Sequence, residues 1–393
     1  MNTLLKKILI VLIIVLILAL IALLVYNFFF KEALEEEEPG VGELPEGEEG
    51  EVVPGEEEGE EIFSEAELKI KPISQEKVLA PTLSTDKTKV MYYAQRNGNV
   101  WQSAFDGTSL IKTSSAVLED LVDVIWSPDK TKVISIYQDT LGTITKFSYN
   151  YETGKVSSLN LYIQDIDWSP SNDKILFQYT KETENNNHLG ISKPDNSDWE
   201  IALQIEMKDV NLNWLGTETE IVYYEKPSGL VTSSLYLFNL ITEESTKVLS
   251  EIYGLAAKWS PQGDKFIFTK TNEEGKNLYL RVALKDGSAE ANINVSTFID
   301  KCVWSQDNRT VFCAIPKNIS GTETLPDDYY KGNFISDDEF WKINLETAEN
   351  TSLIEPWERT AETYDAIDLF LSPLEDYLFF VNKKDGLLYS IEL

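Results

Sequence analysis

Short apolar and polar runs alternate along most of this chain, and one arrangement of them keeps returning. In Val124-Ile-Trp-Ser-Pro-Asp-Lys-Thr-Lys-Val-Ile-Ser-Ile136 an apolar run ends at Trp126, a polar turn follows, and a second apolar run begins at Val133. The cassette reappears at Trp168 (Trp-Ser-Pro-Ser), Trp214 (Trp-Leu-Gly-Thr), Trp259 (Trp-Ser-Pro-Gln-Gly-Asp) and Trp304 (Trp-Ser-Gln-Asp). Leucine stands in the Trp place at Leu83 and Leu371. Counted from Leu83, the spacings are 43, 42, 46, 45, 45 and 67 residues.

Runs this short, rich in aromatic and β-branched residues, predict strands. Strand A leads into the Trp, as in Asp123–Trp126 and Gln164–Trp168. Strand B follows the turn: Val133–Tyr137, Ile175–Tyr179, Ile221–Tyr224, Phe266–Thr269, Val311–Ile315 and Tyr377–Val381. Both faces of B are apolar, as a strand buried between neighbouring sheets requires. Strand C alternates, as in Leu235–Asn239, Leu278–Leu284 and Phe340–Asn344, and Asp106-Gly107 and Asp286-Gly287 mark turns after it. Strand D, as in Lys155–Leu161, Ser245–Leu249 and Asn350–Ile354, is the most polar and suits an outer edge. A four-strand unit repeating every 40 to 50 residues or so predicts the blades of a β-propeller.

These cassettes resemble the TolB-like, WD40-like class of propeller repeats, an apolar strand, Trp-Ser-Pro-Asp-Gly, then a second apolar strand. Only Trp126-Ser-Pro-Asp129 matches the core tetrad in full, and no copy has glycine directly after the Asp. The resemblance covers most of the chain and implies architecture rather than activity, since propellers host enzymes, receptors and scaffolds alike. Seven A–B hairpins are present, and the last copy ends on a third strand at Leu387–Leu393. The strand-like run Leu68–Ile73 is therefore expected to supply the fourth strand of the seventh blade, with Pro72 tolerated at an outer edge. The expected fold is all-β, a seven-bladed propeller over residues 67–393.

Two further segments precede it. Ile8 to Val25 is unbroken apolar sequence, continued to Phe30, long enough to span a hydrocarbon core about 30 Å thick. It ends in Phe-Phe-Phe-Lys rather than in the small residues of a cleavage site, so residues 1–31 are expected to be an uncleaved signal anchor. Lys6 and Lys7 precede the run and favour a cytoplasmic N-terminus with the propeller outside the cell membrane. Residues 32–66 carry 16 acidic and no basic residues. Such a segment repels itself and is expected to be a disordered tether.

Charge narrows the partners. The 393-residue chain carries −32, of which residues 67–393 hold −19. That excludes nucleic-acid binding through a basic footprint. The expected partners are the membrane, through residues 8–30, and a protein of the cell envelope. No small-molecule ligand or cofactor is specified by the sequence.

Candidate chemistry is sparse. The blade-six hairpin turns around Asp307-Asn308, which sets Cys302 opposite Cys313; directly opposed residues lie within disulfide reach, and an exported compartment would allow the bond. The blade-six B–C connection, 316–339, contains Asp327, Asp328, Tyr329, Tyr330, Asp337 and Asp338, a candidate ligand-face loop for a carbohydrate, a cation or a basic patch. The other long B–C connections expected are 181–194 and 225–234. His188, the single histidine, reads as a solvated loop residue within 183–199. The Trp residues read as core packing. No Gly-x-Ser-x-Gly elbow, phosphate loop or paired-Cys zinc site occurs. The sequence thus favours a non-catalytic binding or scaffold propeller, with a carbohydrate-binding or glycosidase-like propeller on the B–C/D–A face as the alternative.

Overall fold

The computed structural model describes residues 70–356 and 362–393. The expected anchor and tether lie outside those residues; among the described residues no helix is long and apolar enough to cross a membrane.

The described residues form seven four-stranded antiparallel sheets, a seven-bladed propeller. In sequence order the blades span 78–114, 121–158, 163–204, 210–253, 257–292, 302–354 and 366–392. Strand A lies at the axis and strand D at the rim. The seventh blade has three strands of its own, Ala366–Leu371, Tyr377–Asn382 and Leu388–Glu392. Its fourth is β1 (Ile70–Pro72), which pairs Ile70 with Ile391 and Pro72 with Tyr389. The ring is thus closed by the segment expected to close it. Closure removes the exposed sheet edge that an open ring would present.

Strand B carries the core. Ile175, Leu176 and Phe177, then Phe266, Ile267 and Phe268, then Leu378, Phe379 and Phe380 are wholly buried. Their two faces pack against two neighbouring blades, which explains continuous rather than alternating apolarity. The cassette tryptophans are core residues with a polar task as well. Trp126, Trp168 and Trp304 donate their indole N–H to Ala80 O, Ile125 O and Lys258 O of the preceding blade's inner strand, at 2.9, 3.1 and 3.1 Å.

Two expectations fail in blade three. Residues 181–194 are not a long connection: strand B runs to Lys181, a single 3₁₀ turn covers Glu182–Glu184, and strand C is Asn186–Ser192. The polar run Asn185-Asn-Asn-His188 conceals the strand because ladder bonds and side-chain amides hold it. Asn187 pairs with Thr180 in register, and Gln178 Nε2 donates to Asn187 Oδ1 at 3.0 Å. His188 is consequently buried, stacked on Tyr179 at 4.9 Å, with Nδ1 on Asn186 Oδ1 at 2.9 Å. In blade four the connection shortens to 226–231 between Glu220–Glu225 and Thr232–Asn239.

Candidate functional site: the axial channel and its cap

Along each inner strand, residues alternate between the blade interface and the axis. The axial positions of blades three to six, with parts of two B–C loops, enclose a cavity of about 920 Å³. Its wall carries Asp165, Asn211, Asn213, Lys258 and Asp300, with Trp214, Trp259 and Tyr224 among them. A smaller recess of about 380 Å³ continues across blades one, two and seven, where Asp123 and Asp368 face it with Lys130.

Two inner-strand carboxylates of blade three, Asp165 on the wall and Asp167 further along the strand, bind backbone. Asp165 accepts the N–H of Leu212 at 3.0 Å, and Asp167 accepts that of Trp214 at 2.7 Å, so blade three is tied to blade four. Burial lifts Asp167 to about 6, against the lowering effect of the Trp214 and Trp168 amides. Burial also lifts Asp368 to about 6; the Asp123 and Asp300 carboxylates push the same way and Lys258 opposes them. Asp123 and Asp165 are raised chiefly by burial. Lys258 is lowered by burial, opposed by Asp300 and Asp368, and its ammonium donates to Cys302 O at 2.6 Å.

The blade-six B–C insertion, 317–337, caps the channel on one side. Its single α-helical turn, α1 (Asp327–Tyr330), is pinned from blade four, where Ser228 Oγ and Gly229 N donate to Asp327 at 3.1 and 2.8 Å. Leu325 N donates to Gly275 O of blade five at 2.8 Å. On the other flank Lys384 of blade seven donates to Asp337 at 2.5 Å. Gly229 is required here, since a Cβ would sit 2.1 Å from Leu325 O.

Beneath the cap lies a buried ionic knot. The Lys301 ammonium, fully excluded from solvent, donates to Asp338 and Asp365 at 2.6 Å each and to Ala366 O at 2.9 Å. It ties blade six to blade seven. Burial raises Asp338 in spite of Lys301. Tyr329 covers the knot, with Lys383 at 4.1 Å and Lys301 at 5.4 Å from its ring and Phe298 stacked at 3.9 Å.

The candidate loop residues therefore separate. Tyr329 and Asp338 are buried structural groups and offer no ligand surface; Asp338 opens strand C (Asp338–Asn344). Burial was hidden in the sequence because partner Lys301 lies 37 residues upstream. Asp327 and Asp328 brace the cap, Asp328 accepting Thr324 N at 2.7 Å, while Asp337 holds Lys384. Tyr330, half exposed, faces the channel beside Lys331; burial, then Asp300, raises its hydroxyl well above the usual range. Cys302 and Cys313 pair in register, and their sulfurs are joined at 2.10 Å. Asp123, Asp165, Asp300, Asp368 and Lys258 escaped the sequence reading. Their one signal was position, polar residues interrupting an otherwise apolar strand A or, for Asp300, standing in the turn just before it.

No protein-family model matches the chain, and no curated protein does. Among solved structures, an oligogalacturonate lyase in complex with manganese is similar at 10% identity and TM-score 0.58, over 82% of this chain and 93% of that one. An oligogalacturonate lyase from Vibrio parahaemolyticus gives 10% identity and TM-score 0.57 over the same shares, 82% and 93%. TolB from Acinetobacter baumannii is also similar, at 10% identity and TM-score 0.46 over 72% of this chain; the chain spans 64% of that protein, less than two thirds of its length. At these identities the likeness is one of fold.

Proposed function

We propose that this chain is a membrane-anchored, extracytoplasmic propeller acting as a non-catalytic binding or scaffold module. Residues 8–30 serve as the anchor and 32–66 as the tether to a rigid ring. One observation carries the reading: carboxylates and loops placed for chemistry are engaged in holding blades together. Asp165 and Asp167 bind blade-four amides, and Asp338 and Asp365 bind Lys301. A rigid scaffold whose loops carry specificity is a common design for binding proteins. The test is affinity capture from cell envelopes with the full-length protein, with and without residues 317–337. Recovery of a defined stoichiometric partner supports the reading; recovery of none, with turnover of a substrate instead, overturns it.

A second reading is favoured by the cavity itself. Trp214, Trp259, Tyr224 and Tyr330 beside Asp165, Asn211 and Asn213 form an aromatic and polar lining suited to a sugar chain. Lyases acting on oligogalacturonate share the fold. Manganese does not fit the described residues, among which no group of three or more His, Cys, Asp or Glu is placed to hold a metal ion. Calorimetric titration with neutral and acidic oligosaccharides, paired with an assay for bond cleavage, separates the two readings.

A further inference from the structure

The cap occupies only part of the B–C/D–A face. Its bonds reach blades four, five and seven. Over blades one to three the B–C connections are short, 95–99, 139–143 and 182–185, and nothing from the insertion bonds to them. Around blade two this uncovered arc presents apolar tips. Leu141, at the head of the blade-two B–C turn, is 90% exposed. Val117 and Leu161, in the connections entering and leaving that blade, are 66% and 63% exposed, and Tyr162 beside Leu161 is 41% exposed. These tips stand on firm supports: Asp139 accepts Leu141 N at 2.9 Å, Gln138 N reaches Asp120 O at 3.0 Å, and Tyr162 packs edge-on against Tyr179. Side chains this large, held outward on braced loops of one face, form a patch of the kind that marks an interaction surface.

The rim decides the partner. Glu119, Asp120, Asp139 and Glu182 lie in these connections against Arg96, while Glu184 is paired with Lys181, whose ammonium stands 5.2 Å from the Tyr162 ring, so the rim keeps an acidic excess. Asp123 and Asp165 continue the negative field into the channel beside them. An anionic lipid surface or an acidic peptide would be repelled.

We propose that the blade-two arc of this face docks a cationic amphipathic segment of a partner protein. Its apolar residues would seat on Leu141, Leu161 and Val117, and its Lys or Arg side chains would meet the acidic rim and channel mouth. This rests on the binding-module reading. Apolar anchors give the affinity, and the rim charges give orientation and on-rate.

The experiment uses the full-length protein in its own cell envelope with a photo-crosslinking residue at position 141 or 161. Positions 241 and 374, exposed on the A–B/C–D face, are the controls. The expected result is one discrete adduct from 141 and 161 and none from 241 or 374. Mass spectrometry should map it to a Lys- or Arg-rich segment, and Glu182→Lys combined with Glu119→Lys, both exposed and outside the bonds that brace the tips, should reduce its yield about tenfold. Adducts to lipid, to an acidic segment or from both faces alike overturn the proposal, as does the absence of any adduct. The two readings fail separately: a captured partner that still binds a Leu141→Ser/Leu161→Ser variant removes this surface but keeps the binding module.

Discussion

Lys87, Lys130, Asn172, Gly263, Asn308 and Glu375 each stand four residues after the Trp or Leu of a cassette, and each has a left-handed φ between 56 and 69°. This is the place of glycine in the resembled repeat. Here glycine fills it once, and asparagine, the next most tolerant residue, twice. The buried serine just after the Trp explains the rest of the tetrad. Ser127 Oγ donates to Asp129 at 2.6 Å and accepts Lys132 N at 3.0 Å, which fixes the hairpin from inside. Lys87, with no ion pair among the described residues, pays a strain of about 1 kcal/mol in this conformation. Lys87→Gly is therefore expected to raise the urea midpoint slightly or leave it level, whereas Lys87→Val should lower it. Gly190 is the opposite case. Its Cβ would lie 2.4 Å from the Phe177 ring, so Gly190→Ala should destabilise by about 1–3 kcal/mol in equilibrium unfolding.

At the scale of elements, the inner strands decide both the links between blades and the response to pH. Asp167 and Asp368 sit at about 6 in the folded ring against an ordinary 3.8. A raised carboxylate holds its proton more tightly when folded, so its contribution is fully present below about 4 and is lost as the pH rises through about 6. Asp368→Asn should flatten that decline, read from urea midpoints at pH 5 and pH 7.5; an unchanged slope would show that the shift is not felt in stability. The blade-six hairpin carries the crosslink, closing a loop of sequence separation 11. Cys302→Ala/Cys313→Ala should cost about 3 kcal/mol by the loop-closure relation. Intact-mass measurement of the full-length protein purified without reductant checks whether the thiols are joined. The Lys301 knot should be less forgiving. Lys301→Met leaves two buried carboxylates without their cation and should cost about 3–5 kcal/mol, while replacing all three partners by apolar residues should recover much of it.

For the whole molecule, closure is the decisive contact. Strand β1 adds three residues to the seventh blade, and Ile73 N and Ser74 Oγ extend the junction onto Leu388. A chain beginning at residue 67 should melt like the full propeller. One beginning at residue 76 should lose the cooperative transition and gain early proteolytic cuts in 366–393, because blade seven would expose a sheet edge and Ile391 would lose Ile70. Equal melting of the two chains would mean that closure by this strand is dispensable.

By itself the sequence determined the number of blades, the places of strands A and B, the pairing of Cys302 with Cys313 and the closing strand. All of these follow from local periodicity and chain arithmetic, which a strand of alternating or continuous apolarity writes directly into residue order. What only the tertiary structure decided is where polar residues go. Asn186–His188 became a strand because its amides found partners across the sheet. Tyr329 and Asp338 left the solvent because Lys301, at the start of the same blade, and Asp365, from the next one, converge on them. The axial carboxylates, indistinguishable in sequence from many surface ones, became a site only when seven inner strands met around one axis. Burial and charge pairing between distant residues are properties of that meeting, and no local pattern encodes them.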